Sequence, residues 1–162
     1  AKDQRLDMPR SPPAHGWTKL NTDGSYINET RATGGGMVLR DDGGAIIFTA
    51  CRQITTCDDG LEAELMACRE GLDLALHRTG LPIAIELDCA HAVLMLNTSH
   101  GDCSPDKTIV RDIQLLMSDD PWEISITHIR RTQNKVSHSL ADYGRCTPRT
   151  AVWLGGGILV KV

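Results

Sequence analysis

Asp23, Glu64 and Asp88 are the residues of this chain whose type and setting could do chemistry together. Asp23 stands in Asn21-Thr22-Asp23-Gly24-Ser25, where an aspartate closing a strand beside a glycine can put a carboxylate where a metal and a phosphate meet. Glu64 lies in the helical run Leu61-Glu62-Ala63-Glu64-Leu65-Met66-Ala67, and Asp88 ends the apolar run Ile83-Ala84-Ile85-Glu86-Leu87-Asp88. Carboxylates are hard oxygen ligands suited to Mg²⁺, and three of them carried by three elements imply one site. Each also has a plainer reading. Asp23 suits an Asx-type turn with Gly24, Asp88 suits an N-cap of the next helix, and Glu62 and Glu64 suit a solvated helix face. Spacing within the helix leaves Glu62 and Glu64 both open as the inward-pointing acid.

The elements that must position these residues follow from hydrophobic periodicity. Residues 17–23 alternate as a half-buried strand does, and 34–40 with 44–51 form two further runs around Asp41-Asp42-Gly43-Gly44, a hairpin signal. Asp58-Asp59-Gly60 then opens a long helix in which Leu61, Leu65, Cys68, Leu72, Ala75 and Leu76 recur at three- and four-residue spacing, stopped by Gly80 and Pro82. A short buried strand is expected over 83–87, helices over 89–96 and 107–117, a strand over 122–129 and a last helix over 134–143. Five strands result, three meandering and then two in βα units. That order predicts an α/β fold with a mixed sheet, antiparallel at the hairpins and parallel across the helices, with helices on both faces. The polar stretch 1–16, with three prolines, reads as a flexible linker or boundary, 17–145 as the domain, and 146–162 as a weakly patterned tail. Its end suits an edge strand or disorder. The glycines Gly34-Gly35-Gly36 read as a bulge or a flexible strand start.

Composition bounds the function. At 162 residues and 41% hydrophobic, the chain can bury one sizeable core, and a net charge of −4 argues against gripping nucleic acid through a broad basic surface. The basic residues near the expected site are Arg130, Arg131 and Lys135. Six cysteines without a CxxC pair point to reduced thiols in an intracellular protein rather than to disulfides or structural zinc. No apolar stretch approaches the roughly 18 to 20 residues that cross a bilayer. A monomer is expected, with no membrane partner.

Taken in order, Asn21-Thr22-Asp23-Gly24-Ser25, Gly34 to Asp41, Ala63-Glu64-Leu65-Met66-Ala67, Glu86-Leu87-Asp88 and His128-Ile129-Arg130-Arg131-Thr132-Gln133-Asn134 make the chain resemble the ribonuclease H family. The resemblance is closest to the plant, retroelement-derived (reverse transcriptase-like) ribonuclease H domains and spans Trp17 to Tyr143. It implies a ribonuclease H-like fold and a metal-dependent endonuclease that hydrolyses the RNA strand of RNA–DNA hybrids. It further implies two Mg²⁺ ions, with Mn²⁺ able to substitute, held by Asp23, Glu64 and Asp88. The family's fourth carboxylate, four residues beyond Asn134, falls on His138. That histidine is a nitrogen ligand for the second metal, a general acid or base near the leaving group, or the mark of a lost site. In the last case the domain is a domesticated module of weak or no activity that binds nucleic acid or protein. Asp142, one turn after His138, is either a substitute carboxylate or a solvated residue near a helix end. His128 matches the family's mobile histidine, associated with product release or nucleophile handling. Gly24, Ser25, Asn134 and Arg130 are the implied substrate contacts.

Overall fold

A computed structural model describes residues 10–55, 57–98, 106–119, 123–148, 150–155 and 158–161, the last four by backbone alone. Residues 1–9 of the expected linker and Trp122 of the expected fifth strand lie outside the described residues. The elements run β1 (Thr18–Tyr26), β2 (Thr33–Arg40), β3 (Ile46–Ile54), α1 (Gly60–Leu76), β4 (Ile83–Leu87), α2 (Ala90–Asn97), α3 (Lys107–Asp119), β5 (Ile124–His128), α4 (Lys135–Cys146), β6 (Ala151–Leu154) and β7 (Ile158–Lys161). One sheet carries all the strands in the order β5-β4-β1-β2-β3-β6-β7. β1, β2 and β3 are antiparallel neighbours, whereas β4 and β5 join in parallel, each preceded by helix. This is the mixed α/β sheet that the hairpin and βα signals predict. Among the described residues the sheet has seven strands rather than five, because Ala151–Leu154 pairs antiparallel with β3 and Ile158–Lys161 pairs with β6. Those two strands are four residues each. A run that short shows little alternation, and Ile158–Lys161 is the edge strand that the end of the tail suited.

Helices lie on both faces, and the glycines record it. A Cβ on Gly24 would sit 2.5 Å from the Ala63 carbonyl carbon of α1, and one on Gly36 would sit 2.0 Å from the Ser137 carbonyl oxygen of α4. Side chains alternate along a strand, so even-numbered residues of β1 face α1 and odd-numbered ones face α4. The α1 face holds the main core, with Leu20, Leu39, Phe48, Leu65, Leu72 and Ile85 each 0% exposed. Polar residues dominate the other face of β1, at Lys19, Asn21, Asp23 and Ser25, all of them buried.

Two local expectations give way to the structure. Asp23 does not close a strand: β1 continues to Tyr26, with Asp23 opposite Gly36 and Ser25 opposite Gly34. Pairing with β2 overrides the turn tendency of the Asp-Gly-Ser run. Gly34 to Gly36 form neither bulge nor loose start, since their register with β1 and β3 is regular and the one shift lies at Leu39/Arg40. These positions are glycine because a helix touches the strand on each side. A Cβ on Gly34 would lie 2.2 Å from the Ala141 carbonyl oxygen, and one on Gly35 would lie 3.3 Å from the Ala67 Cβ.

Candidate active site

Register alone brings two of the acids together. β1 and β4 run parallel with Leu20 beside Ile85 and Asn21 beside Glu86; two residues further on, the same offset sets Asp23 beside Asp88. β4 ends at Leu87 while β1 runs on to Tyr26, which notches the sheet next to Asp23. Glu64 enters this notch from α1. The helix starts where it does because the Asp59 carboxylate caps it, accepting from Glu62 N–H at 2.8 Å. Glu62 turns outward and accepts from the Asp58 N–H at 2.7 Å. Of the two acids that spacing left open, Glu64 is therefore the inward one.

Carboxylate oxygens of Asp23, Glu64 and Asp88 lie within 4.8 Å of one another. Asp23 is 2% exposed and Glu64 is 9% exposed. Burial, then Asp23 as hydrogen-bond partner and neighbouring charge, and then Asp88, push the Glu64 carboxyl up to about 11. Asp88 is raised in the same direction, chiefly by burial and then by Asp23, against the lowering pull of the Asn134 amide, Arg131 and His138. Glu64 Oε2 is buried with no hydrogen-bond partner among the described residues. A buried acceptor left without a donor costs about 1–3 kcal/mol, and hard oxygen donors converging on one point suit a divalent cation such as Mg²⁺ or Mn²⁺. These residues fit the metal that the sequence implied.

Around the acids lies a polar scaffold. Asn134, 2% exposed, donates its side-chain N–H groups to the Thr22 carbonyl at 3.0 Å and to Asp88 Oδ2 at 3.2 Å. Its Oδ1 accepts from Ser137 Oγ at 2.6 Å and from Asn21 Nδ2 at 3.3 Å. Asn134, an implied substrate contact, uses its side-chain amide to fix the Asp88 carboxylate against β1. Asn21 continues the scaffold to Glu86 Oε1 at 3.1 Å, and Lys19 Nζ meets Glu86 Oε2 at 3.2 Å. Sequence reasoning missed Asn21 and Ser137 as parts of the site. Their only local signal was membership of the motifs around Asp23 and Asn134.

His138 reaches the same cluster from α4. Its Nδ1 lies 2.7 Å from Asp23 Oδ2, and its Nε2 lies 3.5 Å from Asp142 Oδ2. Asp142, expected either to replace the missing carboxylate or to sit in solvent, is half exposed, and His138 stands between it and Asp23. The Ser25 hydroxyl donates to Asp142 Oδ1 at 2.6 Å and accepts from Arg145 Nε at 2.9 Å. Ser25, expected to touch substrate, thus has its hydroxyl committed on both sides. Gly24 remains at the notch, with α1 pressed against its Cα. His128 is exposed at the end of β5, its Nε2 3.3 Å from the Asp88 carbonyl oxygen. Arg130 is exposed on the loop before the short 3₁₀ turn Arg131–Gln133. His128 therefore borders the acids without entering them.

Comparison with known proteins places this geometry. The family described as "Reverse transcriptase-like" matches residues 21–144. An Arabidopsis thaliana protein provisionally named as a ribonuclease H is 31% identical over 131 residues, covering 81% of this chain and 21% of that protein. The chain thus spans about a fifth of the length of the curated relative it matches. Among solved structures, RNase H1 from the archaeon Halobacterium salinarum superimposes with a TM-score of 0.73 at 22% identity, over 80% of this chain and 97% of that one. LC11-RNase H1, solved in complex with an RNA/DNA hybrid, gives a TM-score of 0.71 at 18% identity, over 80% and 96% of the two chains. The foamy viral protease-reverse transcriptase, also solved with an RNA/DNA hybrid, gives 0.67 at 19% identity, over 79% of this chain and 20% of that one. At these identities the structures establish a shared fold.

Proposed function

The chain belongs to the reverse transcriptase-like family, and from that premise we propose that it is a metal-dependent endonuclease hydrolysing the RNA strand of RNA–DNA hybrids. The observation that carries this reading is the convergence of Asp23, Glu64 and Asp88, from three elements, to within 4.8 Å, with one buried Glu64 oxygen left for a cation. Mg²⁺ is the expected ion, with Mn²⁺ able to substitute; a bound pair supplies an activated water and stabilises the leaving oxygen. Asp23, set on the strand that both neighbours approach, would face both ions, while Glu64 and Asp88 would each hold one. Asn134 keeps the Asp88 carboxylate in place through the 3.2 Å hydrogen bond, so that ion binding does not also have to order that side chain.

Among the described residues β1 has no strand partner on its β4 side beyond Asn21, and the backbone of Gly24 to Tyr26 there offers a surface to a sugar–phosphate chain. Arg130, exposed on the loop after β5, would meet phosphate. A hybrid is told from duplex DNA by its shape and its 2′-hydroxyls, so little sequence preference is expected, and affinity should fall steeply with salt. A labelled hybrid incubated with the chain in Mg²⁺ and in Mn²⁺, beside an Asp23→Asn control, tests the proposal. Strand scission that disappears in the control supports it, whereas equal background in every sample removes the catalytic claim.

A second reading has one observation in its favour. The 2.7 Å contact of His138 with Asp23 Oδ2 occupies an oxygen that a metal would use, which favours a binding module of weak or no turnover. Hybrid binding that persists without cleavage and without metal would select it. Among the described residues no helix is long and apolar enough to cross a membrane.

A further inference from the structure

We propose that Asp142 is a positioning residue for His138, holding the imidazole so that Nδ1 is presented to the metal site and completing a carboxylate–histidine–metal arrangement in place of the fourth carboxylate. The proposal rests on reading Asp23, Glu64 and Asp88 as a divalent-cation site. A histidine that ligates a metal through one ring nitrogen commonly donates the other N–H to a carboxylate or carbonyl, which fixes the tautomer and the ring orientation. Each ring nitrogen of His138 has a carboxylate to face, and without an ion the hydrogen bond is the one that Nδ1 donates to Asp23. Nδ1 faces the acidic cluster at 2.7 Å from Asp23 Oδ2, and Nε2 faces Asp142 Oδ2 at 3.5 Å.

Asp142 is itself held from behind. The Ser25 hydroxyl accepts from Arg145 Nε at 2.9 Å, which leaves its own proton for Asp142 Oδ1 at 2.6 Å. Arg145 Nη2 lies 3.8 Å from the same carboxylate. A carboxylate on a half-exposed helix face is otherwise free to rotate. Here the buried Ser25 and an arginine one turn away aim its second oxygen at the imidazole. His138, Asp142 and Arg145 lie on one side of α4 by their spacing of four and three residues, the side that the glycines of β2 bring against β1. The inference concerns which ring nitrogen the site receives. An ion entering the cluster would displace the proton that Nδ1 shares with Asp23, and Asp142, 3.5 Å from Nε2, would then hold the proton on that nitrogen, leaving the Nδ1 lone pair to the ion.

Mn²⁺, which accepts nitrogen ligands more readily than Mg²⁺, is the probe. Binding is followed by electron paramagnetic resonance, with spin-echo modulation reporting a directly bound imidazole nitrogen. The wild-type chain should show that ¹⁴N signature, and His138→Ala should lose it. Asp142→Asn keeps an acceptor for Ser25 on a half-exposed residue and so should fold, which circular dichroism verifies; it should weaken Mn²⁺ binding about 10- to 100-fold and diminish the signature. Added to His138→Ala, it should cost nothing more. Three results would overturn the proposal: Mn²⁺ bound by the wild type without ¹⁴N coupling, an Asp142→Asn affinity equal to wild type, or a further loss in the double variant. A wild-type chain that binds no Mn²⁺ would remove the underlying metal-site reading as well, and so is distinguishable from these.

Discussion

The two sides of the candidate site are built on different principles. On the side of β1, β4 and α1, three carboxylates meet with little to neutralise them, and a buried asparagine holds one of them in place. On the α4 side, His138, Asp142, Ser25 and Arg145 alternate acid with base or hydroxyl, and each group faces a partner. The first side therefore stores electrostatic cost that a cation would relieve, whereas the second is already compensated within the protein. Affinity for metal should come from the acidic side, and the orientation of whatever α4 contributes should come from the other.

The largest expected effect breaks the acidic side. Asp23→Asn should reduce hybrid cleavage by about three orders of magnitude, since a bound metal supplies several kcal/mol of charge stabilisation and each 1.4 kcal/mol is a factor of ten; single-turnover cleavage measures it. Next comes the junction between the two sides. Gly36→Ala would place a methyl against the Ser137 backbone and should destabilise the fold by about 3 kcal/mol, read from urea denaturation, while lifting His138 away from Asp23. If His138 and Asp142 contributed nothing, the same variant, held folded, would retain wild-type Mn²⁺ affinity.

The stored cost has a pH signature. Glu64 is raised from 4.5 to about 11, so between those values the folded metal-free chain holds a proton that the unfolded chain has released. That contribution to stability is complete below the unfolded value and is lost as pH rises toward the folded one, by at most about 1.4 kcal/mol per pH unit. Tm of the chelator-treated protein should fall from about pH 6 to about pH 9. Glu64→Gln should flatten the slope, and saturating Mn²⁺ should restore about 2.7 kcal/mol at a hundredfold excess over Kd. A wild-type slope unchanged by Glu64→Gln would show that the acidic side carries no such cost.

Smaller effects sharpen the α4 side. His138→Asp replaces nitrogen by oxygen and should move the cleavage preference toward Mg²⁺ over Mn²⁺ by about tenfold; a fall in both would assign the imidazole a part that a carboxylate cannot play. Ser25→Ala, which removes one hydrogen bond to Asp142, should cost only about 1 kcal/mol of stability, visible as a small change in the denaturation midpoint.

The difference between the two sides also explains what could be read in the sequence. Asp23, Glu64 and Asp88 were legible because each sits in an element with strong periodicity, and the order of those elements fixes the sheet. Choosing Glu64 over Glu62 from the residues themselves required the capping geometry at Asp59. Asn134 and Asp142 were visible as residues but their hydrogen bonds were not, because what they bind lies 46 and 117 positions away, at Asp88 and Ser25. Ser25 shows the same limit: the hydrogen bonds of its hydroxyl come into view only once the helix that uses it is placed. In the tail the edge strand at its end was one of two expected readings, and Ala151–Leu154 added a second strand that four residues give too little periodicity to announce.

The glycines of β2 bear on how this site could change. Because a Cβ at position 34 or 36 would overlap the α4 backbone, they act as a gauge that sets the helix-to-strand gap at bare contact. The distance from His138 to Asp23 is then dictated by residues that touch neither side chain. Any attempt to widen the site for a larger ion or a bulkier ligand group would have to move a whole helix. Adjusting the chemistry by exchanging one side chain on α4 for another leaves the gauge untouched, and position 138 is where such an exchange meets the least mechanical resistance.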